Sequence, residues 1–332
     1  MSLDEIIASV KDRPGLSDIH VHAGKPLALR INGEVEKFED IPISNEIVDK
    51  FFGTHLSPDQ LQHFDKKGDV DLALVIDGQR FRASFARGSE GKVIVMRRLE
   101  SRIPMPEDLG LPPALLAVTQ LKSGLVLVTG PTGSGKSTSL AAVINRINEE
   151  RSDHILTVED PIEYVHHAKK SLVFQREVGQ DAESFAQALK AALREDPDVI
   201  LVGEMRDMET VSLALTAAET GHLVFGTLHT NGAASTVNRI IDVFPAAQQG
   251  QIRAQLAQSL RLVMTQRLLK RADGQGRIGA FEVMVCNHAV RSLIRESKIH
   301  QIEGVMQTSR GEGMVTMEAA LEQLAAAGMI QA

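Results

Sequence analysis

The run Gly130-Pro131-Thr132-Gly133-Ser134-Gly135-Lys136-Ser137, followed by Thr138, has the spacing of a phosphate-binding (Walker A) loop at every fixed position. Glycines let backbone N–H groups approach and wrap phosphate oxygens, and the next helix presents its positive end to them. In that arrangement Lys136 reaches the β- and γ-phosphates of a nucleoside triphosphate, and the Ser137 hydroxyl ligates Mg2+. Gly130 to Thr138 are therefore the candidate nucleotide-binding residues, with ATP and Mg2+ as the implied ligands.

Such a loop needs a strand-end acid near the metal and a group that orients the attacking water. In DPDVILVGEMRD the apolar run ends at Val202, and Glu204 follows as the candidate acid. Glutamate departs from the commoner aspartate here but can hold the metal through water. Asp198 opens the same strand, so it sits at the far end and reads as structural. HILTVEDPIEYVHH ends another strand with Glu159, Asp160 and Glu163, carboxylates placed for Mg2+ and water chemistry at the sheet's carboxyl edge. Pro161 turns the chain and keeps Glu163 off a helix. His222 and His229 bracket a further apolar strand, and their odd spacing argues against one shared metal. His229, at the carboxyl end, is the candidate for polar contact around the γ-phosphate.

The elements that must carry these groups alternate strand and helix, which predicts a doubly wound α/β core. Strands are expected at 124–130, 154–160, 198–204 and 222–229, all near-continuous apolar runs of the kind that parallel strands show. Leu140, Val143, Ile144 and Ile147 set a helical period after the phosphate loop, as do Phe185, Ala188, Leu189 and Ala192 farther on. Beyond residue 230 the chain reads as mainly helical, with one further strand near 278–285.

Ahead of that core lies an α+β segment. A short amphipathic helix over 3–11 and a strand at 18–22 precede two hairpins, turned at Asn32-Gly33 and Asp77-Gly78. A third strand, VIVMRRL, follows. Arg80, Arg82, Arg87, Lys92, Arg97 and Arg98 crowd residues 80–98 against one acid, Glu90. That cluster is either a solvated sheet face or a surface turned toward an anion. Four of the 12 prolines fall within 104–113, which marks a linker.

Composition narrows the function classes. The chain has 332 residues, enough for two domains and a sizeable core. Its 43 acids against 36 bases give a formal charge of −7. With no Trp and one Tyr, a base-stacking nucleic-acid channel is disfavoured. Cys286 is the only cysteine, which excludes an internal disulfide and a Cys-cluster zinc site. The opening MSLDEIIASVKD lacks the apolar stretch of a secretory leader, and no apolar run nears the ~18 residues of a membrane span. A cytoplasmic protein without a transmembrane segment is expected.

Taken together, GPTGSGKST, LTVEDPIEY, REDPDVILVGEMRD and AAETGHLVFGTLHTNGAASTVNRIIDVFP resemble the Walker A, Asp box, Walker B and His box of the secretion-ATPase superfamily. That superfamily powers type II secretion, type IV pili and related conjugative machines. Within it the chain is similar to the type IV pilus retraction ATPases, the PilT family. Ala289 to Glu296, AVRSLIRE, is similar to that family's AIRNLIRE motif, with Val290 and Ser292 differing. SDIHVHAGKPLALRINGEV near the start and GMVTMEAALEQLAAAGMI near the end add to the likeness, which covers about residues 17–330. A single cysteine and a short N-terminal segment fit the retraction branch, whose relatives elsewhere carry a tetracysteine zinc insert.

The resemblance implies an α/β protein with a RecA-like P-loop ATPase core, a smaller α+β PAS-like N-terminal domain and a helical C-terminal region. The implied divisions are 1–100 for the PAS-like domain, 101–113 for the proline-rich linker and 114–332 for the ATPase domain. It also implies a Mg-dependent ATPase working as a homohexamer on an inner-membrane pilus platform protein, peripheral to the membrane and without direct nucleic-acid binding. Carried over by position, Lys136 and Ser137 bind nucleotide and Mg2+, Glu204 is the Walker B acid and Glu163 is the catalytic glutamate. N-terminal arginines complete the ATP site in such hexamers, and Arg82 and Arg97 are the first choices. The AVRSLIRE helix is implied to serve retraction rather than hydrolysis. ATP-site chemistry does not carry the direction of work, so a pilus-extension or type II secretion ATPase is the near alternative. A nucleic-acid translocase is the alternative of another class, and a nucleotide-gated scaffold that does not hydrolyse is disfavoured by the acids present.

Overall fold

A computed structural model describes residues 1–99, 102–274 and 276–331. The chain divides into two compact units, Met1–Arg102 and Ile103–Ala332. The expected domain boundary at Glu100 and Ser101 lies outside the described residues.

In the first unit, Ser2 and Glu5 form a reciprocal capping box that starts α1 (Leu3–Val10). Then come β1 (Leu16–His22), β2 (Pro26–Ile31), β3 (Glu34–Pro42), α2 (Asn45–His55) and α3 (Pro58–Lys67). The unit closes with β4 (Asp69–Ile76), β5 (Gln79–Gly88) and β6 (Gly91–Arg98). These strands form one antiparallel sheet in the order β3-β2-β1-β6-β5-β4. Both predicted hairpin turns are present. Asn32 and Gly33 have φ of 52° and 92°, and Asp77 and Gly78 have 47° and 75°, as a type I′ turn requires. Phe81, Ala83 and Phe85 point to one face, where they meet Phe51, Phe52 and Phe64 of the two helices. Residues 45–67, for which sequence patterning assigned no element, thus supply the helical cover of this sheet.

The opposite face carries Arg82 and Arg97, whereas Arg87 lies on the helix side over the Phe64 ring. Arg82 on β5 lies directly across from Arg97 on β6, and both are exposed. Arg97 Nε donates to Asp18 Oδ1 at 3.0 Å, and Arg30 stands 3.7 Å from the same carboxylate.

The second unit opens with turns over 103–112 and α4 (Pro113–Val118). It continues through β7 (Gly124–Thr129), α5 (Lys136–Glu150), β8 (His154–Glu159), β9 (Leu172–Glu177), α6 (Phe185–Ala192) and β10 (Val199–Val202). Next are α7 (Met208–Glu219), β11 (Leu223–Leu228), α8 (Ala233–Asp242), α9 (Ala246–Ser259), β12 (Leu260–Lys270) and β13 (Arg277–Val285). Three helices end it: α10 (His288–Arg295), α11 (Ile302–Thr308) and α12 (Met317–Ala326). The sheet order is β13-β12-β7-β11-β10-β8-β9, parallel except for β13. Alternate residues serve opposite layers, as strand periodicity dictates. Leu125 and Leu127 pack with α7, α8 and α9, whereas Val126 and Val128 pack with α5 and α4.

The four expected strands are present as β7, β8, β10 and β11, and the strand near 278–285 is β13. Two strands are additions. β9 extends the sheet beyond β8, and β12 lies between β7 and β13, inside a stretch read as helical. That correction matters for the site, because β12 runs beside the strand that feeds the phosphate loop.

Candidate nucleotide site

The loop between β7 and α5 depends on glycine at defined places. Gly130, Gly133 and Gly135 have φ of 139°, 76° and 87°, a region that side chains with a Cβ avoid. At Gly130 a Cβ would also stand 2.3 Å from the Gln266 carbonyl oxygen of β12. Gly130→Ala is therefore expected to combine backbone strain of about 1–3 kcal/mol with displacement of the loop or of β12. A lowered unfolding temperature together with weaker ATP binding, by titration of a fluorescent analogue, is the expected outcome. Unchanged values of both would show that the loop tolerates a side chain there.

Lys136 turns back into the loop. Its Nζ donates to the carbonyls of Gly130 at 2.9 Å and Pro131 at 3.0 Å, and lies 3.5 Å from His229 Nδ1. The side chain is buried, and that burial pulls its pKa below the ordinary lysine value while Glu204 and Glu163 act to raise it. Ser134 Oγ is buried with no hydrogen-bond partner among the described residues. Pro131, Thr132 and Gly133 are exposed, and Ser137 and Thr138 are half-buried. Thr138 Oγ1 meets the Tyr164 hydroxyl at 3.0 Å. Backbone donors, an orphaned hydroxyl and a buried ammonium form a cradle that fits a polyphosphate.

Three further groups converge on this loop from the carboxyl ends of neighbouring strands. Glu204, after β10, takes a hydrogen bond from Arg206 and stands 3.2 Å from His229 Nε2. Burial acts to raise the Glu204 pKa, but Arg206 and His229 outweigh it and hold the carboxyl below its usual value. Glu163 lies in the irregular segment after β8, which begins with a cis Asp160-Pro161 bond, and its charge acts on both Lys136 and Glu159. Glu159 accepts from Thr157 Oγ1 at 2.7 Å and Gln175 Nε2 at 3.2 Å, while burial pushes its carboxyl up to about 7.

The structure thus brings Lys136, Glu163, Glu204 and His229 to one sheet edge, as expected for ligand sites in such folds. His222 is at the other end of β11, bound to the Ala217 carbonyl at 2.9 Å. Asp198 is also at the far end, where its Oδ2 accepts the His154 amide at 2.8 Å and ties β10 to β8. Arg82 and Arg97 stand on the other unit. No cluster of three or more His, Cys, Asp or Glu able to hold a metal occurs among the described residues. Ser137 and Glu204 instead offer one hydroxyl and one carboxylate, a sparse set that fits Mg2+ held mainly by phosphates and water.

A cavity of about 770 Å3 extends from Gly135, Thr138 and Ser139 between the 107–112 segment, the β12–β13 hairpin and α12. Its size suits a nucleoside. Sequence reasoning missed Gln266, whose side chain accepts from Ser139 Oγ at 2.8 Å, and Arg206, which grips Glu204. Gln266 lies in the unassigned strand, and a basic residue two positions after an acid carries no signal by itself.

Residues 17–330 match the family model described as type II/IV secretion system protein. The chain is 45% identical over 331 residues to the type IV pilus retractation ATPase PilT of Pseudomonas aeruginosa, covering 99% of this chain and 96% of that protein. It is 49% identical over 303 residues to a twitching motility protein of Neisseria gonorrhoeae, covering 91% and 81%. A crystal structure of the pilus retraction motor PilT with bound ADP superposes with a TM-score of 0.93 at 47% identity, covering 100% of this chain and 95% of that one. That likeness gives the core its fold class, a RecA-like P-loop ATPase.

Proposed function

This chain belongs to the type II/IV secretion system protein family, and from that premise we propose that it is the ATP-hydrolysing motor of type IV pilus retraction. The observation that carries the reading is the convergence of Lys136, Glu163, Glu204 and His229 on one phosphate loop, in a chain alike almost end to end to a retraction ATPase.

In this reading the loop amides and Ser134 bind the phosphates, and the Lys136 ammonium sits against the β- and γ-oxygens. Mg2+, when bound, supplies charge neutralisation, with Ser137 and Glu204 as its protein ligands. Glu163 orients the attacking water and accepts its proton, and His229 senses the γ-phosphate beside Glu204. The subunit works in a homohexamer, where Arg82 and Arg97 of the PAS-like N-terminal domain complete a neighbour's site. Hydrolysis changes the angle between the domains across the proline-bearing linker. The motor acts from the cytoplasmic side on an inner-membrane pilus platform protein.

A deletion strain tests the direction of work. Cells with extra pili and no surface motility are expected, whereas bald cells would assign the chain to extension. Helix α10 offers a second test. Val290 and Ile294 are buried while Arg295 is exposed, so Arg295→Ala leaves the packing intact. ATPase activity near the wild-type rate with reduced twitching is expected. Equal loss of both activities would refute the assignment of this helix to force transmission.

A further inference from the structure

Glu163 sits on a segment without helix or strand, yet its role in the reading above demands a fixed position. The fixing groups come from β9. Gln175 lies in register with Thr157 of β8, and Glu177 with Glu159, so the 175 and 177 side chains share one face of the sheet. On that face the 160–166 segment folds over them.

Gln175 makes three hydrogen bonds there. Its Oε1 accepts the His166 amide at 2.7 Å, and its Nε2 donates to the Tyr164 carbonyl at 2.9 Å and to Glu159 Oε1 at 3.2 Å. Glu177, which is buried, accepts the Ile162 amide on Oε2 at 3.0 Å. Its own backbone amide is held by Asp181 Oδ2 at 2.9 Å. Backbone groups at 162, 164 and 166 are therefore bound to two side chains of one strand, on both sides of Glu163. Tyr164 further pins the segment to α5 through Thr138.

We infer that Gln175 and Glu177 are positioning residues: they strap the Glu163 segment to β9 so that its carboxylate meets the water at the γ-phosphate. The inference rests on the assignment of Glu163 as the water-orienting base. Displacement of a catalytic group by about 1 Å can cost on the order of 100-fold in rate. Gln175→Ala is expected to lower kcat by about 10- to 100-fold while the KM for ATP and ADP binding stay near wild type. Glu177→Ala should do the same, and Glu177→Gln, which keeps an oxygen acceptor for the Ile162 amide, should restore most of the loss.

The deciding measurement is a double-mutant cycle in the full-length protein, by single-turnover phosphate release. If the strap acts through Glu163, Gln175→Ala adds no further loss in a Glu163→Gln background. Wild-type kcat in Gln175→Ala overturns the strap, and so does a parallel fall in ADP affinity and unfolding temperature. A further loss on top of Glu163→Gln overturns it as well. Wild-type turnover in Glu163→Gln alone would instead remove the base, and the strap would fall with it.

Discussion

Lys136→Ala is expected to abolish measurable turnover, a loss of at least about 100- to 1000-fold, with nucleotide affinity falling alongside. The size of the effect follows from where the ammonium sits. It is buried and satisfied by the carbonyls of Gly130 and Pro131, so it is already placed and largely dehydrated. Burial depresses its pKa, and the carboxylates of Glu204 and Glu163 act against that depression. An incoming triphosphate adds negative charge at the same point, so phosphate binding and the charged form of Lys136 reinforce each other. Alanine removes this positive charge and leaves the two carboxylates facing the phosphates.

Stability should change less, because Pro131 is exposed and its released carbonyl can reach water, which leaves only the buried Gly130 carbonyl without its partner. Nucleotide titration, phosphate release and thermal unfolding on the same preparation separate these effects. Wild-type phosphate release would show that the loop works without its lysine.

Much of this site was legible because a parallel sheet collects the carboxyl ends of its strands on one edge. Lys136 is read from a local motif. Glu204 and His229 follow from acids and histidines placed just after apolar runs, and the runs are plain because β7, β10 and β11 are covered on both faces. β12 escaped for the opposite reason. It starts at Leu260 directly after α9 ends at Ser259, with no proline or glycine between them, so a helical pattern runs into it unmarked. β9 escaped because it is an edge strand, with Leu172 largely and Phe174 about half exposed, and with its apolar run ending after three residues at the polar Gln175, Arg176 and Glu177. The same edge strand supplies Gln175, whose partners are mostly backbone groups. Every residue has those groups, so no pattern of side-chain types announces the contact.

Glu163→Gln should separate binding from chemistry more cleanly than any other single change. The amide keeps the shape of the side chain and leaves Lys136, Ser134 and the loop amides in place, so ATP binding is retained. It cannot accept the proton of the attacking water, and general-base contributions of about 100- to 10,000-fold are at stake. A nucleotide-bound protein with no phosphate release beyond that residual rate is the expected result. Wild-type turnover would take Glu163 out of the mechanism. A second readout comes from the neighbouring carboxyl. Burial, with a smaller push from the Glu163 charge, raises Glu159 from the ordinary 4.5 to about 7. The folded protein therefore holds a proton there that the unfolded chain has released, and stability falls as pH rises through that window. Removing the Glu163 charge lowers the Glu159 pKa, so in Glu163→Gln the fall is smaller and ends at lower pH. Thermal unfolding across this range would detect it, and an unchanged profile would place the two carboxyls too far apart to share the site.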